Sequence, residues 1–554
     1  MSQLIECVPN FSEGRDLAII KQITDALESV AGVKLLDVDP GAATNRTVVT
    51  IAGEPNAVIE AAYRGIAKAK ELIDMRGHKG EHPRFGATDV CPLIPISGIS
   101  MEETVEYARQ LAKRVGDNLA YPVYLYESAA LKSDRKNLAT VRAGEYEGLA
   151  QKLQNPEWKP DFGPATFVPE TGAIAIGARD FLLAVNFNLN TTSTRRANSV
   201  AFDVREAGRL VKTTDANGVT TETREPGTCK GTKAIGWYIQ EYGVAQVSMN
   251  ITDRNQTPLH IAFEESANSA WKRGMRVTGT EIVGLVPLSV LTDAGKYFLK
   301  KQQRSTGVSE AELIKIAVKS MGLDDLKPFD PQKKVLEYFF KDAANQPLIH
   351  LTLADFVAET ASESPAPGGG SISAYMGSMG AALATMVANL SSHKRGWDHQ
   401  WEHFSNYAEV GEGLATLLLN KVDEDTASFN RIMDAFSLPK GNPEEKAARS
   451  KAIQDATRYA IKVPLSVMEA ALKVLDLCEA MANEGNPNSV SDAGVGALAA
   501  RSAVLGAGMN VRINASSYTA DEPWKVATLF HCATLEQQAI AKEQAILALV
   551  ATKL

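Results

Sequence analysis

Two histidines, two basic side chains and two carboxylates fall within the twelve residues His78–Asp89, which read HKGEHPRFGATD. An imidazole titrates near neutrality and can take up and return a proton during a reaction. Side chains on a loop of this kind can converge on a ligand when rigid elements hold its ends. Gly80 and Pro83 break the helix that ligation of a metal by His78 and His82 at i,i+4 spacing needs. The residues alone leave three readings open: a polar turn, a catalytic histidine and a metal pair. Two more polar islands flank strand-like runs, Val8–Gly14 and Asp39–Thr47, the second carrying Asp39 and Arg46. Loop and helix-cap chemistry accounts for both on this evidence.

In the second half one carboxylate stands out. Leu418, Val422, Phe429 and Ile432 form an apolar stripe at helical spacing, and Asp425 falls on it, whereas Asp423 and Glu424 are predicted to point away. A carboxylate on a buried face must be paired or neutralised, and its pKa tends to rise, which suits proton transfer near pH 7. An interhelical salt bridge or a stripe that frays into solvent is the equal alternative. The run SPAPGGGS brings Gly368, Gly369, Gly370 and Ser371 to the start of a helix. Glycines let a ligand approach the backbone and a helix N-terminus favours anions, but a plain loop capped by Ser371 fits equally well. It is neither a P-loop nor a dinucleotide fingerprint. His399 and His403 lack the order of a zinc-hydrolase motif and read as a solvated helix face. No metal is expected.

Stepping from residues to elements, the chain changes character near its middle. Up to about residue 300, strand-like runs (Leu4–Val8, Val33–Val38, Thr47–Ile51, Val90–Ile96, Val123–Tyr126) alternate with amphipathic helices such as Ala57–Ile73 and Met101–Val115. A second set follows, with strands Phe181–Asn188, Ala234–Tyr238, Ala245–Ile251 and Thr280–Leu285. The two halves show no clean internal repeat. Asn217-Gly218 within Lys212–Gly227 signals an exposed hairpin. From Leu351 onward Ala- and Leu-rich helical periodicity takes over. The fold class predicted is an α/β (α+β) N-terminal region of two sheet-and-helix subdomains, 1–180 and 181–334, then a linker over 335–348 and an all-α helical bundle over 349–554.

Bulk properties bound the function classes. The 58 basic and 66 acidic residues leave a formal charge of −8, which argues against non-specific nucleic-acid binding. Five scattered cysteines without a C-x-x-C pair predict free thiols in a reducing compartment. The N-terminal residues carry no signal-peptide pattern, so a cytoplasmic location is expected. Ile372–Leu390 is uncharged over nineteen residues, but its Gly, Ala and Ser content predicts a closely packed bundle helix rather than a membrane span.

The runs ECVPNFSEG, NRTVVT, HKGEHPRFGATDVCPLIPI, RAGEYEGL and PDFGPATFVP, in order and in register, resemble the formiminotransferase family from Met1 to about Lys334. The resemblance implies transfer of a formimino group from N-formimino-L-glutamate to N5 of tetrahydrofolate, with His82 as the catalytic histidine. It also implies a folate-contacting segment running through Gly163, Pro164, Ala165, Thr166, Phe167, Val168, Pro169, Glu170, Thr171 and Gly172, with folate between the sheets of two α/β subdomains. Both substrates carry carboxylates, and Arg46, Lys79 and Arg84 are the candidate cations. The 212–227 stretch is longer than expected of the mammalian-type enzyme.

From Ile349 onward, SPAPGGGS, VDEDTASF and GNPNSVSDAGVGA resemble the cyclodeaminase/cyclohydrolase family. This implies that Asp425 relays protons as N10 of 5-formimino-tetrahydrofolate closes on the amidine carbon, expelling ammonia and giving 5,10-methenyl-tetrahydrofolate. Asp492 and Asn514 are further pocket candidates. The co-substrate implied is tetrahydrofolate, its polyglutamylated form included, and homo-oligomers are implied as well. A methenyltetrahydrofolate cyclohydrolase in the helical part and a non-catalytic folate-binding protein are the alternatives.

Overall fold

The computed structural model describes residues 3–41, 45–79, 84–214, 220–240, 242–340, 347–364, 366–518 and 522–554. The chain divides into two packed units. One comprises Met1–Pro287, Asp325–Pro328 and Lys333–Phe340; the other comprises Leu288–Asp324, Phe329–Gln332 and Lys341–Leu554.

The first unit opens with strands β1 (Leu4–Cys7) and β2 (Asn10–Phe11), helix α1 (Leu17–Glu28), strands β3 (Val33–Gly41) and β4 (Arg46–Gly53), helix α2 (Pro55–Leu72) and strand β5 (Thr88–Ser97). Helix α3 (Met101–Leu119), strand β6 (Val123–Glu127), short helices α4 (Leu138–Val141) and α5 (Leu149–Lys152), and strand β7 (Ile174–Ala178) follow. The seven strands form one sheet. β3, β4, β1/β2 and β5 pair antiparallel, and β7 and β6 add in parallel beyond β5.

Alternation along the strands sends Ile5, Cys7, Val49, Ile51 and Leu93 to one face. There they pack with Ile23 and Leu27 of α1, Ala61 and Ile66 of α2, and Leu111 of α3. On the other face, Tyr124, Tyr126 and Ala175 meet Val141 and Leu149 of α4 and α5. A capping box closes the start of α3, where Ser100 receives the Glu103 N–H and Glu103 receives the Ser100 N–H.

The second sheet is built from β8 (Leu183–Leu189), β11 (Thr232–Ile239), β12 (Val244–Ile251) and β13 (Val277–Val283); α6 (Thr194–Val204) and a separate two-stranded hairpin of β9 (Arg209–Thr214) and β10 (Thr220–Glu225) precede β11, and α7 (Leu259–Trp271) precedes β13. Its antiparallel order is β11-β12-β8-β13. This is the order β3-β4-β1/β2-β5 of the first sheet: both halves run β-α-β-β-α-β with the opening strand central. The topology repeats although the sequence shows no repeat. The hairpin expected near 212–227 is present as β9 and β10, while its turn, Asn217-Gly218, lies outside the described residues.

The second unit is helical. α8 (Leu288–Lys301) and α9 (Glu310–Met321) pair with each other, and α10 (Pro331–Lys334), a single turn, is divided between the two units. Then come α11 (Leu353–Thr360), α12 (Gly369–Ser392), α13 (Trp401–Ser437), α14 (Pro443–Glu484), α15 (Val490–Ala515) and α16 (Pro523–Ala551). The segment 288–324, which the sequence reading groups with residues 181–334, packs with this unit. Thr306 N–H donates to Ser405 Oγ at 3.0 Å, and Asn389 Nδ2 donates to the Gly307 carbonyl at 2.8 Å. α12 lies against α13, α14 and α15, with Ala374, Ala381, Ala388 and the facing Ala497, Ala500 and Ala503 fully buried. α12 has the length and composition to cross a membrane, but 61% of its most apolar window is buried in the bundle.

Candidate functional sites

In the first unit, His82 lies outside the described residues, as do Gly80, Glu81 and Pro83. The two flanks of that segment are well defined. On one side His78 is buried; its Nε2–H donates to the Asn45 carbonyl at 2.8 Å, and Arg84 Nη1 donates to its Nδ1 at 3.5 Å. Burial, reinforced by the Arg84 charge, lowers the pKa of His78 and favours the neutral ring. Lys79 is exposed, and its carbonyl accepts from Asn45 Nδ2 at 3.0 Å. On the other side Arg84 donates from Nε to Glu147 at 3.0 Å and lies over the Tyr146 ring, 5.1 Å from its centroid.

The 163–172 segment joins this patch. Gly163 to Glu170 form a surface loop, and Thr171 and Gly172 are buried beneath it. Tyr146 donates its hydroxyl to the Pro169 carbonyl at 2.6 Å and packs on Phe167 at 5.5 Å between centroids. The Met75 N–H donates to the Glu170 carbonyl at 2.9 Å. Gly172 has φ +70°, and a Cβ there would meet the Phe85 carbonyl oxygen at 2.4 Å, so only glycine allows the loop to close on the strand. Residues 75–79, 84–86, 145–147 and 167–172 are thus tied into one patch, in part exposed and in part buried.

Arg46 is turned inward. It donates from Nε to Asn10 Oδ1 at 2.9 Å and pairs with the fully buried Asp89, which Arg142 also reaches at 3.0 Å. Burial, ahead of the nearby charges, lowers the Arg46 pKa. Asp39 is exposed on β3, opposite Val48. Asn45, Tyr146 and Arg142 are the residues of this patch that sequence reasoning did not single out. They lie inside the quoted motifs, but no spacing rule marks them.

In the helical unit, Asp425 is half-buried on α13 against the first turn of α12. Ser371 Oγ lies 2.8 Å from the Val422 carbonyl, 3.3 Å from Asp425 Oδ2 and 3.3 Å from Thr426 Oγ1. Burial raises the Asp425 pKa, and the hydroxyl and backbone N–H of Ser371 pull it partly back. A Cβ on Gly370 would lie 2.3 Å from Asp425 Oδ1 and 2.5 Å from its Cγ and Oδ2. The glycine run is therefore what lets a carboxylate sit on a helix N-terminus. A Cβ on Gly369 would meet Asn510 Nδ2 at 3.2 Å, which brings α15 to the site. One helical turn on, Asn514 donates to the Ala460 carbonyl at 2.8 Å.

Two expectations are corrected here. Asp423, expected to face away from the bundle, is only 4% exposed; it accepts the Leu348 and Ile349 N–H groups at 2.9 and 3.3 Å. Phe429, expected on the buried stripe, is 37% exposed. Asp492 is not brought to Asp425. It starts α15, eighteen residues before Asn510 and so roughly 27 Å along the axis. His399 precedes α13 in a short turn, while His403 on the helix pairs with Glu484 at 3.2 Å. Among the described residues no group of three His, Cys, Asp or Glu side chains could hold a metal, and all five cysteines are free and buried.

Three family models match: the N-terminal subdomain of the formiminotransferase domain over 4–179, the formiminotransferase domain over 184–341, and formiminotransferase-cyclodeaminase over 352–532. The formimidoyltransferase-cyclodeaminase of Mus musculus is 42% identical over 550 residues, covering 99% of this chain and 98% of its own. A glutamate formimidoyltransferase from Thermoplasma acidophilum is 42% identical over 299 residues, 54% of this chain and 92% of its own. A methenyltetrahydrofolate cyclohydrolase from Methylorubrum extorquens is 40% identical over 164 residues, 30% of this chain and 79% of its own.

Proposed function

The chain belongs to the formimidoyltransferase-cyclodeaminase family, and we propose that it performs both reactions with two separate proton-handling groups, His82 and Asp425. It is a bifunctional folate enzyme, a transferase and a lyase. The first reaction moves the formimino group from N-formimino-L-glutamate to N5 of tetrahydrofolate. N5 attacks the amidine carbon and loses a proton, and the glutamate nitrogen gains one as its bond to that carbon breaks. His82 serves both transfers, an effect worth roughly 10²–10⁴-fold. The loop 163–172 and the Tyr146–Phe167 pair hold folate, and Arg84 or Lys79 meets substrate carboxylate.

In the second reaction N10 attacks the same carbon, and ammonia leaves as the ring closes to 5,10-methenyl-tetrahydrofolate. Asp425 takes the N10 proton and delivers it to the departing nitrogen. The observation that carries this reading is the seat of Asp425, a half-buried carboxylate with a raised pKa, placed on a glycine-lined helix N-terminus. Neither step calls for a metal. Folate in its polyglutamylated form, action in the cytoplasm and assembly into homo-oligomers complete the reading; the exposed Met379, Met386 and Leu390 along α12 favour the last. The Methylorubrum relative favours a second reading of the helical unit, hydrolysis of the methenyl ring.

The test is a pair of half-reactions on the full chain, following glutamate, ammonia and the methenyl chromophore separately. His82→Ala should lower transfer by roughly 10²–10⁴-fold, leaving a measurable residue, and leave deamination of supplied 5-formimino-tetrahydrofolate intact; Asp425→Asn should do the reverse. Absence of ammonia from the supplied intermediate would favour the cyclohydrolase. Retention of both activities to within about tenfold in the two variants would refute the assignment of these groups.

A further inference from the structure

Asn45 joins three chain segments at the edge of the transferase site. Its Oδ1 accepts the Gly14 N–H at 3.0 Å, its Nδ2 donates to the Lys79 carbonyl at 3.0 Å, and its own carbonyl accepts from His78 Nε2 at 2.8 Å. The residue is 7% exposed and has φ +49°, a left-handed backbone that asparagine tolerates better than most residues. The segment holding Gly14 is tied in turn to the far side of the His82 segment. Ser12 Oγ donates to the Gly86 carbonyl at 2.7 Å, and the Ser12 N–H donates to the Ala87 carbonyl at 2.9 Å. Both flanks of residues 80–83 therefore end on one small assembly with Asn45 at its centre. An amide is the side chain this position needs, because it must accept from one backbone segment and donate to another.

We propose that Asn45 is a positioning residue for formimino transfer, fixing both flanks of the segment that carries His82. The proposal rests on His82 being the proton-handling group of that reaction. Asn45 touches neither substrate in this account; it acts through the two flanks it ties, and misplacement of a reacting group by about 1 Å costs on the order of 10²-fold in rate.

Asn45→Asp is the sharpest probe. It keeps the size, the left-handed backbone and the acceptor for Gly14, but sets a carboxylate oxygen against the Lys79 carbonyl where a donor stood. Asn45→Gly keeps the backbone and removes both side-chain bonds, so at least one variant retains the local fold. On the full chain, kcat for transfer should fall roughly ten- to a hundredfold in each, with KM for tetrahydrofolate held within about threefold. The pH profile of kcat should shift as well, which a smaller folded fraction would not produce. In a His82→Ala background, Asn45→Asp should cost no more than about threefold further. Transfer kcat unchanged in both variants, an unshifted pH profile, or a loss undiminished in the His82→Ala background overturns the proposal. Wild-type transfer by His82→Ala alone overturns instead the assignment on which it rests.

Discussion

Gly370→Ala isolates the seat of Asp425 with one carbon atom. The new Cβ would stand 2.3 Å from Oδ1 and 2.5 Å from Cγ and Oδ2 of Asp425. Carbon contacts settle near 3.5 Å, so the carboxylate must retreat by roughly 1 Å. That carries it away from Ser371, whose hydroxyl now lies 3.3 Å from Oδ2. A misplacement of that size at a reacting group costs on the order of 10²-fold in rate, about 2.7 kcal/mol in the barrier. The fold should survive: overpacking costs about 1–3 kcal/mol, and alanine recovers up to about 1 kcal/mol over glycine inside a helix. The assay is ammonia release from supplied 5-formimino-tetrahydrofolate, with formimino transfer measured on the same preparation. Deamination should fall by about two orders of magnitude and transfer should hold. Gly413→Ala on α13, where an added Cβ meets nothing within 4 Å, is the control and should leave both activities unchanged. Deamination by Gly370→Ala within about threefold of wild type would show that the carboxylate needs no such seat, and would remove the geometric argument for Asp425.

Two further predictions concern neighbouring groups. Burial holds the Asp425 pKa above its ordinary value and the Ser371 hydroxyl lowers it, so Ser371→Ala should raise it further. Asp425 must be ionised to accept the N10 proton, so the acid limb of the deamination pH profile should move to higher pH, with the rate recovering on the alkaline side; a limb that stays or moves lower refutes this. Asp423→Ala removes the acceptor of two N–H groups, the buried one of Leu348 and the part-buried one of Ile349, and should cost about 2–4 kcal/mol in urea unfolding of the helical unit. A cost below about 0.5 kcal/mol would mean that water replaces the carboxylate there.

The contrast between Asp423 and Asp425 shows how far the sequence could be read. On one helix the two side chains differ in direction by about 200°, so a single apolar stripe predicts one inward and one outward. α13 is covered from two sides, by the first turn of α12 and by residues 348–349, and both carboxylates are engaged. Asn510 was missed for the same reason. It reaches the site only because α12 and α15 pack with Gly369 beside it, a contact between segments 141 residues apart in sequence. Asp492 shares a motif-rich run with this helix and lies far along the axis.

What the sequence determined by itself is local. Helical periodicity after Leu351, the strand-like runs at β1, β4 and β5 and the family runs are each set by near neighbours along the chain, and the elements follow them to within a few residues. Tertiary structure decided what distant segments do to one another. It gave the two sheets a common topology without a common sequence, packed 288–324 with the helical unit, turned Arg46 inward to Asp89, and made Asn45 a junction of three loops. Periodicity reports only which face of an element is apolar; which other element covers that face depends on packing between segments that no short window contains.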